Sequence, residues 1–449
     1  MSQLLGERAV VIGAGMGGLA ASAALAPHFE QVLLLERDAM SLEPIPLGPV
    51  PRPGVPQGRH LHTLLGGGQR ALEALFPGLE SDLLQAGAVR YRAGLDLWLE
   101  RPGFDPFPQR DLGWNCYSLS RPLLESLVRA RAVRGNVALR AGCRVERIML
   151  SDDGARVTGI ECSSRAGPAE LLSAQLVIDA SGRAAPTLAA LQASGASLPR
   201  ETHIGVDLGY ATQLFQMPEA APNSWKVALC YPNVPASSRA GLLLPIEGQR
   251  WMVTLGGRLG EKPPGDSAGF LEFVRSLRTP TIARALTQAA PLGEVTRFGF
   301  PESIWRHFEQ LERFPAGLLP LGDAVCLFNP IYGQGMTVAA LEAQLLGRAL
   351  ADVAGEREPF AALARPYFSA LPALLEGPWA LAAIPDFAFP DTRGERPAQF
   401  AQSLKFLGGM VKLAARDAGV HQRMLEVQHL LRPYSALDEP ELRQRALLE

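Results

Sequence analysis

Near the start of the chain, two short apolar runs are separated by a glycine-rich turn and a stretch of small helix-forming residues. Residues 9–12 read AVVI and residues 31–35 read QVLLL, and runs of this kind are typical of buried parallel strands. Between them lie GAGMGG at 13–18 and strong helix formers at 19–26. The pattern predicts a strand, a tight turn, a helix and a second strand.

Beyond this unit, the hydrophobic positions predict a mixture of helices and antiparallel strands. Alternation broken by Gly, Pro and Asn turns predicts an antiparallel sheet over about 195–305, and the chain from about 357 onward is predicted to be helical. The other predicted elements are a Pro- and Gly-rich connection at 41–58, a helix at 63–76, a strand and an amphipathic helix within 117–135, a β-meander at 137–164, a buried strand within 174–183, a helix at 267–277, a strand, loop and helix within 316–353, and a proline break within 376–390.

Composition and charge exclude several classes of function. A net charge of -2 over 449 residues does not favour a nucleic-acid partner or an anionic membrane surface. The five cysteines are widely spaced and form no C-x-x-C pair, which indicates free thiols in a reducing compartment and no metal site. The apolar stretch at 10–27 carries a run of glycines and follows Glu7 and Arg8, so it fits neither a transmembrane helix nor a secretion signal. We therefore expect a cytoplasmic protein with no integral membrane segment.

The glycine turn has the spacing of a dinucleotide-binding motif, G-x-G-x-x-G. Gly13 permits the tight turn, Gly15 lets backbone amides approach a pyrophosphate, and Gly18 brings helix and strand together. Glu36 ends the second strand, where its carboxylate would accept hydrogen bonds from ribose hydroxyls. The helix N-terminus would face the phosphates, so this unit predicts a dinucleotide site.

Several separated segments, taken with this turn, resemble one enzyme family. The segments SRPLLE at 120–125, DASGR at 179–183 and LGDAVCLFNPIYGQGM at 321–336 are similar to those of FAD-dependent monooxygenases of the para-hydroxybenzoate hydroxylase-like superfamily. Within that superfamily, GVPQGRHLHTLLGGG at 54–68 and GLLLPIEGQRWMVTLGG at 241–257 look most like the polyether-ionophore epoxidases, which are relatives of squalene epoxidase.

The resemblance implies a fold of the α/β class (mixed α+β). It would combine a Rossmann-type FAD-binding domain (1–190 and 306–355), an antiparallel β-sheet substrate domain (191–305) and a C-terminal helical region (356–449). Backbone amides at Gly335 and Met336 would stabilise the negative charge of a reduced flavin ring. The implied cofactor contacts are Gly13, Gly15, Gly18, Glu36, Arg37, Arg59, His60, Arg121, Val145, Asp179, Gly322, Asp323, Gly335 and Met336, with Pro330, Gly333, Gly335 and Met336 in the loop under the flavin ring.

Simpler structural roles remain open for several of these side chains. Asp323 and Asp179 are also suited to closing turns, and Arg121 to pairing with Glu125 on the surface. His60, together with His62, is equally suited to binding backbone groups or capping the helix that follows. Aromatic residues that would shape an apolar substrate pocket, or else belong to an ordinary core, are Phe215, Trp225, Trp251 and Trp379.

The resemblance also implies a reaction. Reduced FAD would react with O2 to a C4a-hydroperoxide and deliver one oxygen atom to a lipophilic natural-product intermediate, first of all by alkene epoxidation of a polyketide or polyene. An alkene attacks without losing a proton, which agrees with the lack of any Ser-His-Asp or paired-carboxylate motif. Aromatic hydroxylation is the alternative, and a geranylgeranyl-reductase-like flavin reductase or a noncatalytic FAD-binding protein are the rivals.

Two motifs bear on the electron donor and on halogenation. In DASGR, two residues separate Asp179 from Gly182, whereas aromatic hydroxylases carry a direct Asp-Gly pair that is linked to NAD(P)H handling. Electrons would then come from NAD(P)H either directly or through a separate flavin reductase. Tryptophan halogenases of the same superfamily carry W-x-W-x-I-P, which this chain lacks, so halogenation is not expected.

Overall fold

The computed structural model describes residues 4–40, 50–164 and 167–449, so prolines 44, 46 and 49 of the predicted Pro-rich connection lie outside the described residues. The strands are β1 (Gly6–Ile12), β2 (Phe29–Glu36), β3 (Val89–Arg92), β4 (Leu97–Glu100), β5 (Asn115–Ser118), β6 (Val137–Ala141), β7 (Cys143–Leu150), β8 (Val157–Ser164), β9 (Glu170–Ser173), β10 (Leu176–Asp179), β11 (Glu201–Gln216), β12 (Val227–Cys230), β13 (Ala240–Ile246), β14 (Arg250–Arg258), β15 (Pro291–Arg306), β16 (Leu318–Pro320) and β17 (Cys326–Leu327). The helices are α1 (Met16–Leu25), α2 (Gly66–Leu75), α3 (Leu79–Gln85), α4 (Arg121–Ala132), α5 (Ala185–Ala193), α6 (Ser267–Arg275), α7 (Thr281–Ala285), α8 (Gly335–Asp352), α9 (Pro359–Phe387), α10 (Phe400–Arg416), α11 (Ala418–Gln428) and α12 (Pro440–Leu448).

A parallel sheet in the order β16-β10-β1-β2-β6 forms the centre of the nucleotide-binding half. Ile12 at the end of β1 lies opposite Leu35 of β2 and Asp179 of β10. Asp179 in turn lies opposite Pro320 of β16. The carboxyl ends of these four strands therefore meet at one edge of the sheet, where ligands of open α/β folds bind.

The region predicted as one β-meander is divided between two sheets. β6 joins the parallel sheet beside β2, and only β7, β8 and β9 form the antiparallel meander. The alternation of apolar residues identified β6, β7 and β8, whereas β9 lies beyond the predicted stretch. Alternation carries no information about which neighbour a strand will pair with.

A second, antiparallel sheet has the order β17-β15-β11-β14-β13-β12-β4, in which β4 alone runs parallel to its neighbour. Alternate residues of β11 point to opposite faces. Ala211 and Phe215 pack against α6 and α7, whereas Thr212 faces His60 from the segment after the Pro-rich connection. We call this second side the His60 face of the sheet. The mixed α/β class with a parallel and an antiparallel sheet is confirmed.

Helices α1 and α8 pack against each other and run parallel. A Cβ built on Gly17 would lie 3.6 Å from the Ala339 Cβ, and one on Gly347 would lie 3.6 Å from the Ala24 Cβ. The N-termini of the two helices therefore lie side by side. They stand at the edge of the parallel sheet where β1 and β16 end.

The C-terminal region is helical, as predicted, and its first helix ends within the stretch 376–390 where the proline break was predicted. α9 runs continuously from Pro359 to Phe387 with four prolines inside it. The helix continues because packing of its apolar side chains outweighs the lost backbone hydrogen bonds. Among the described residues, no helix has both the length and the apolar character needed to cross a bilayer.

Candidate cofactor-binding site

The glycine turn between β1 and α1 stands at the edge where the parallel strands end. Gly13 has a φ of +97°, and a Cβ there would come within 2.7 Å of the Ala180 carbonyl oxygen. A Cβ on Gly18 would lie 1.8 Å from the Gly13 carbonyl oxygen. Both positions need glycine for the turn itself, because a side chain cannot fit between the turn, β10 and α1.

Gly15 differs from these two glycines because the space in front of it is open. It is the N-cap residue of α1, and no atom of the described residues, apart from its chain neighbours, lies within 4 Å of a Cβ built on it. The first N–H groups of a helix have no partner within the helix, and the helix dipole adds partial positive charge there. The turn therefore offers an anion an open approach to backbone donors.

Glu36 ends β2 beside this turn and belongs to a buried ionic network. Its carboxylate accepts hydrogen bonds from the backbone N–H groups of Ala14 and Asp38, both at 3.0 Å. Arg52 Nη1 lies 2.9 Å from Glu36 Oε2 and 2.8 Å from Asp38 Oδ2. Arg52 Nε donates to Glu125 at 2.6 Å. Glu36 is thus fixed next to the glycine turn, with Arg52 balancing its charge.

Arg121 begins α4 and lies on the other side of Glu125. Its Nη2 is 3.2 Å from Glu125 Oε2, and both side chains are buried, so this pair is not the surface pair left open above. The Arg121 Nε has no hydrogen-bond partner within the described part of the chain. Burial raises the pKa of the neighbouring Asp323 to about 6, and the charges of Arg121 and Arg306 oppose that rise. A buried guanidinium with an unused donor therefore lies close enough to Asp323 for its charge to act on that carboxyl group.

These features fit the diphosphate of a dinucleotide. The N-termini of α1 and α8 and the unused Nε of Arg121 are donors, and a diphosphate is an acceptor with negative charge. Among the described residues, no group of three His, Cys, Asp or Glu side chains is arranged as metal ligands would be. The donor set therefore suits a phosphate-bearing ligand.

Glu342 lies beneath this edge, fully buried on α8. Its Oε2 accepts a hydrogen bond from the Gly322 N–H, and its Oε1 has no partner in the described ranges. Its pKa is raised to about 8. Burial is the largest cause, the Gly322 hydrogen bond opposes the rise, and the charge of the nearby Asp323 adds to it. The folded protein therefore holds a proton on Glu342 at neutral pH.

This proton makes folding stability depend on pH. The unfolded chain releases it near 4.5, the ordinary pKa of a glutamate, and the folded chain only near 8, so stability falls as pH rises from 4.5 to 8. We expect Glu342→Gln to match the native chain at pH 5 and to unfold at a higher temperature at pH 8. The gain in the free energy of unfolding should approach about 1.4 kcal/mol for each pH unit within that window. Thermal unfolding at the two pH values measures it.

The control for this prediction is Asp352→Asn, which removes an exposed carboxylate from the end of the same helix. If Asp352→Asn gives the same gain at pH 8 as Glu342→Gln, the effect comes from net charge and not from the buried proton. A gain for Glu342→Gln that is equal at pH 5 and pH 8 would also contradict the assignment.

The loop at residues 329–336 leads from β17 into α8 beside Asp323. Asn329 is fully buried, and its Oδ1 accepts a hydrogen bond from the Ile331 N–H at 3.2 Å. Gly333 has a φ of +69°, a left-handed conformation that favours glycine. A Cβ on Gly335 would lie 3.6 Å from Asp323 Oδ1. The structure thus brings this loop to the same edge as the glycine turn of β1.

The loop residues predicted to lie under a flavin ring differ in exposure. Met336 is buried, Gly333 and Gly335 are half-buried, and Pro330 is exposed. The segment after His60 also reaches the loop, because a Cβ on Gly333 would lie 3.4 Å from the Thr63 carbonyl oxygen.

His60 connects the segment after the Pro-rich connection to the antiparallel sheet. Its Nδ1 lies 2.8 Å from Thr212 Oγ1, and its ring packs against Tyr210 and Phe298 with centroids 5.6 and 5.7 Å away. Burial lowers its pKa to about 4, so the imidazole is neutral at pH 7. His62 Nδ1 lies 2.9 Å from the His60 carbonyl oxygen, and burial together with the Arg121 charge lowers the pKa of His62 to about 3.

Three of the four predicted pocket aromatics lie on the far side of the sheet. Phe215, Trp225 and Trp251 belong to the packed cluster formed with α6 and α7, opposite the His60 face. Trp225 also borders, with Trp98, a surface cavity of about 490 Å³ on that side. Of the two alternatives given above, their placement agrees with an ordinary core. Strand alternation accounts for the side on which Phe215 of β11 and Trp251 of β14 lie, whereas Trp225 precedes β12.

Trp379 is the predicted pocket aromatic that lies near the 329–336 loop. It stands on α9, with its ring 6.3 Å from Phe328 and 5.7 Å from Trp305. Gln334 of the loop donates from Nε2 to the carbonyl oxygen of Pro378, the residue before Trp379. Trp379 is therefore positioned by the loop that follows β17.

Asp179 uses its carboxylate within its own turn. It is fully buried and accepts hydrogen bonds from the Ser181 N–H at 3.0 Å, the Thr187 N–H at 3.1 Å and the Thr187 hydroxyl at 2.8 Å. These bonds hold the connection between β10 and α5. The geometry is the turn-closing role left open above.

The remaining predicted residues differ in exposure. Arg37 and Arg59 are exposed, and Val145 is half-buried on β7 in the cluster that contains Leu35. Gly322 has a φ of +69° in the turn after β16. The structure leaves the contacts of all four with a cofactor as predictions.

Sequence reasoning missed several residues of this site. Glu342 carried a recognisable signal, because it is an acidic residue within the apolar pattern of a predicted helix. Arg52 carried little signal, since it lies in a Pro-rich segment without periodicity. Tyr210 was detectable only from strand alternation with Thr212, once the face that meets His60 was known.

Comparison with known proteins assigns the chain to a family through one curated relative. No family model matches the chain. Protein Rv3254 of Mycobacterium tuberculosis (strain ATCC 25618 / H37Rv) is 33% identical over 357 residues, which cover 77% of this chain and 73% of the relative. The chain belongs to the Rv3254 family. That name carries no activity, so it gives no substrate for this chain.

Solved structures show which fold this chain shares with other proteins. A triple variant of the flavin-dependent brominase Bmp2 is 14% identical, with a TM-score of 0.66 and coverage of 98% of this chain and 97% of that chain. The p-nitrophenol 4-monooxygenase PnpA from Pseudomonas putida DLL-E4 is 19% identical, with a TM-score of 0.62 and coverage of 96% and 99%. At these identities the likeness concerns the fold, which is that of flavin-dependent halogenases and FAD-dependent monooxygenases.

Proposed function

We propose that the chain binds FAD and is an FAD-dependent monooxygenase. The observation that carries this proposal is the open space in front of Gly15, at an edge where the N-termini of α1 and α8 lie side by side. Asp323 lies at that edge beside Gly335 and Arg121. The fold shared with flavin-dependent enzymes supports FAD as the dinucleotide.

The residues at this edge would hold the cofactor in a fixed position. The backbone amides behind Gly15 would donate to the diphosphate, and the unused Nε of Arg121 would donate to an oxygen nearby. Glu36 would bind the adenosine ribose through the lone pair of Oε1 that the Asp38 N–H leaves free, since Oε2 already contacts Ala14 and Arg52. FAD would supply an activated oxygen atom after its reduction and reaction with O2.

The 329–336 loop would lie beside the flavin ring. The N–H groups at the start of α8, including those of Gly335 and Met336, belong to a helix N-terminus, where negative charge is stabilised. Gly333 allows the backbone to turn into that helix with a left-handed φ. This chain would therefore favour the reduced, anionic ring by means of backbone groups.

The substrate would be lipophilic, and alkene epoxidation is the reaction we favour. Near the loop, the His60 face carries Tyr210 and Phe298, whose rings stack at 5.8 Å. His60 itself is neutral at pH 7 and holds its Nδ1 against Thr212. A wall of this kind orients an apolar substrate and excludes water, and an alkene requires no base. Hydroxylation of an aromatic ring is the second reaction that such a wall suits.

The test begins with the cofactor and then follows the oxygen atom. Purified protein is heated, and the released flavin is identified by chromatography. The FAD-loaded chain is then incubated with ¹⁸O2, a panel of polyenes and phenols, and either NAD(P)H alone or NAD(P)H with an added flavin reductase. We expect one ¹⁸O atom in a polyene epoxide, and the two donor arms reveal whether a reductase partner is required.

Three other results would count against the proposal. Reduced substrate without ¹⁸O indicates a flavin reductase of the geranylgeranyl-reductase kind. Halogenated product in the presence of bromide or chloride indicates a halogenase. A chain that binds no added FAD overturns the cofactor assignment together with the reaction.

A further inference from the structure

A buried carboxylate outside the predicted site connects the 329–336 loop to the rest of the protein. Asp386 lies in the last turn of α9 with no exposed surface. Its Oδ1 accepts hydrogen bonds from Asn329 Nδ2 at 3.0 Å and from the Tyr332 hydroxyl at 2.8 Å. Its Oδ2 lies 3.1 Å from the same Asn329 nitrogen. Both loop side chains thus converge on one group.

The third partner of this carboxylate comes from the antiparallel sheet. Arg258, the last residue of β14, forms a salt bridge to Asp386 Oδ1 through Nη2. Its Nη1 donates to the Asp386 carbonyl oxygen at 3.3 Å and to Thr392 Oγ1 at 3.1 Å. The guanidinium also lies 4.3 Å from the ring centroid of Phe389. Arg258 is therefore held from several sides.

We infer that Asp386 is a positioning residue that fixes the 329–336 loop relative to the antiparallel sheet. A buried carboxylate is stable only when a positive charge and hydrogen-bond donors surround it. Arg258 supplies the charge, and Asn329 and Tyr332 supply the donors. Since Asn329 also caps the turn at Ile331, movement of Asp386 would be transmitted directly to the loop backbone.

The consequence for the reaction rests on the proposed function. If FAD lies beside the 329–336 loop and the substrate against the His60 face, then the Asp386 cluster (Asp386, Arg258, Asn329 and Tyr332) sets the distance between them. A loop that shifts by a fraction of an ångström would misplace the cofactor relative to its substrate. Asp386 would thus affect the reaction without touching the reacting atoms.

The experiment is hydrogen–deuterium exchange of the full chain, flavin-free and FAD-loaded. In Asp386→Asn we expect exchange in peptides covering 329–336 to be at least tenfold faster, and the FAD dissociation constant to rise about tenfold. Tyr332→Phe removes one donor and keeps the ion pair, so a smaller acceleration, about threefold, is expected. The matched control is Asp391→Asn, an exposed residue of the following segment, which should leave exchange in the loop unchanged.

A double variant separates positioning of the loop from general stability. Asp386→Asn leaves the Arg258 charge buried without its partner, whereas Arg258→Gln combined with Asp386→Asn removes both charges. The double variant should regain most of the lost thermal stability and still exchange rapidly in the loop, with a shifted visible spectrum of bound FAD. Recovery of both stability and loop protection would mean that Asp386 acts only by balancing charge, and it would overturn the inference.

Further outcomes keep this inference separate from the proposed function. If a folded Asp386→Asn or Tyr332→Phe chain exchanges in the 329–336 loop at the same rate as the unaltered chain, the positioning role is overturned, whatever the chain binds. If Asp386→Asn does not fold, Tyr332→Phe alone decides. If the unaltered chain binds no FAD, the proposed function fails, and exchange of the flavin-free chain still tests the positioning role.

Discussion

Gly15→Asp is expected to give a folded protein that retains no FAD. Gly15 is the N-cap of α1, and the space before its Cβ is open, so an aspartate fits sterically. Aspartate is also among the preferred N-cap residues, and its carboxylate would take the N–H groups that the diphosphate requires. Competition and repulsion together should weaken FAD binding at least a hundredfold, or about 3 kcal/mol.

Flavin content per chain after purification and the dissociation constant for added FAD measure this effect. The matched control is Gly355→Asp, which introduces the same charge at an exposed glycine with open space around its Cβ, after the end of α8. That variant should bind FAD as the native chain does. A Gly15→Asp protein that purifies with full FAD content would remove the glycine turn from the binding site.

Gly18→Ala should lower the free energy of unfolding more than a methyl group added at any other glycine of this turn. Its Cβ would lie 1.8 Å from the Gly13 carbonyl oxygen and 3.0 Å from the Gly13 carbonyl carbon, both of them backbone atoms. Relief requires α1 to move away from the turn, which opens the packing of α1 against β1 and α8. We expect a loss of about 3 kcal/mol or more, seen as a lower unfolding midpoint or as insoluble protein.

The neighbouring Gly17→Ala is the control, because it adds the same methyl group one residue earlier. There the nearest atom is a flexible Leu321 methyl at 3.2 Å, followed by the Ala339 Cβ at 3.6 Å. Such a contact is relieved by a side-chain adjustment, so the free energy of unfolding should change by less than about 1 kcal/mol. Equal midpoints for Gly17→Ala and Gly18→Ala, measured by thermal and urea unfolding, would contradict the close approach at Gly18.

The contrast between Gly15 and Gly18 illustrates how far local sequence reasoning reached. The motif spacing predicted that Gly18 would bring helix and strand together and that Gly15 would let backbone amides approach a pyrophosphate. The structure gives the steric counterpart, since the Cβ of Gly18 collides with backbone and that of Gly15 meets open space. Both features arise within one short strand–turn–helix unit, so its residue spacing already contains them.

Side chains that meet across elements were less accessible to prediction. The aromatic pocket was predicted from residue type alone, and Phe215 and Trp251 then proved to face α6 and α7. Their neighbours on β11, Tyr210 and Thr212, face His60. Period-two alternation divides the residues of a strand into two sets. It does not say which set meets the cofactor-binding half.

The sequence by itself determined β1 and β2, the glycine turn between them and the acidic residue that ends β2, because short-range periodicity and steric demands specify them. Only the tertiary structure decided the partners of its buried charges. Arg52 meets Glu36 and Glu125 from a segment without periodicity, and Asp386 joins Arg258 to a loop 54 residues earlier at Tyr332. A buried charge needs a partner, but the way in which sheets and helices pack decides which residue becomes that partner. The order of residues along the chain does not specify this packing directly.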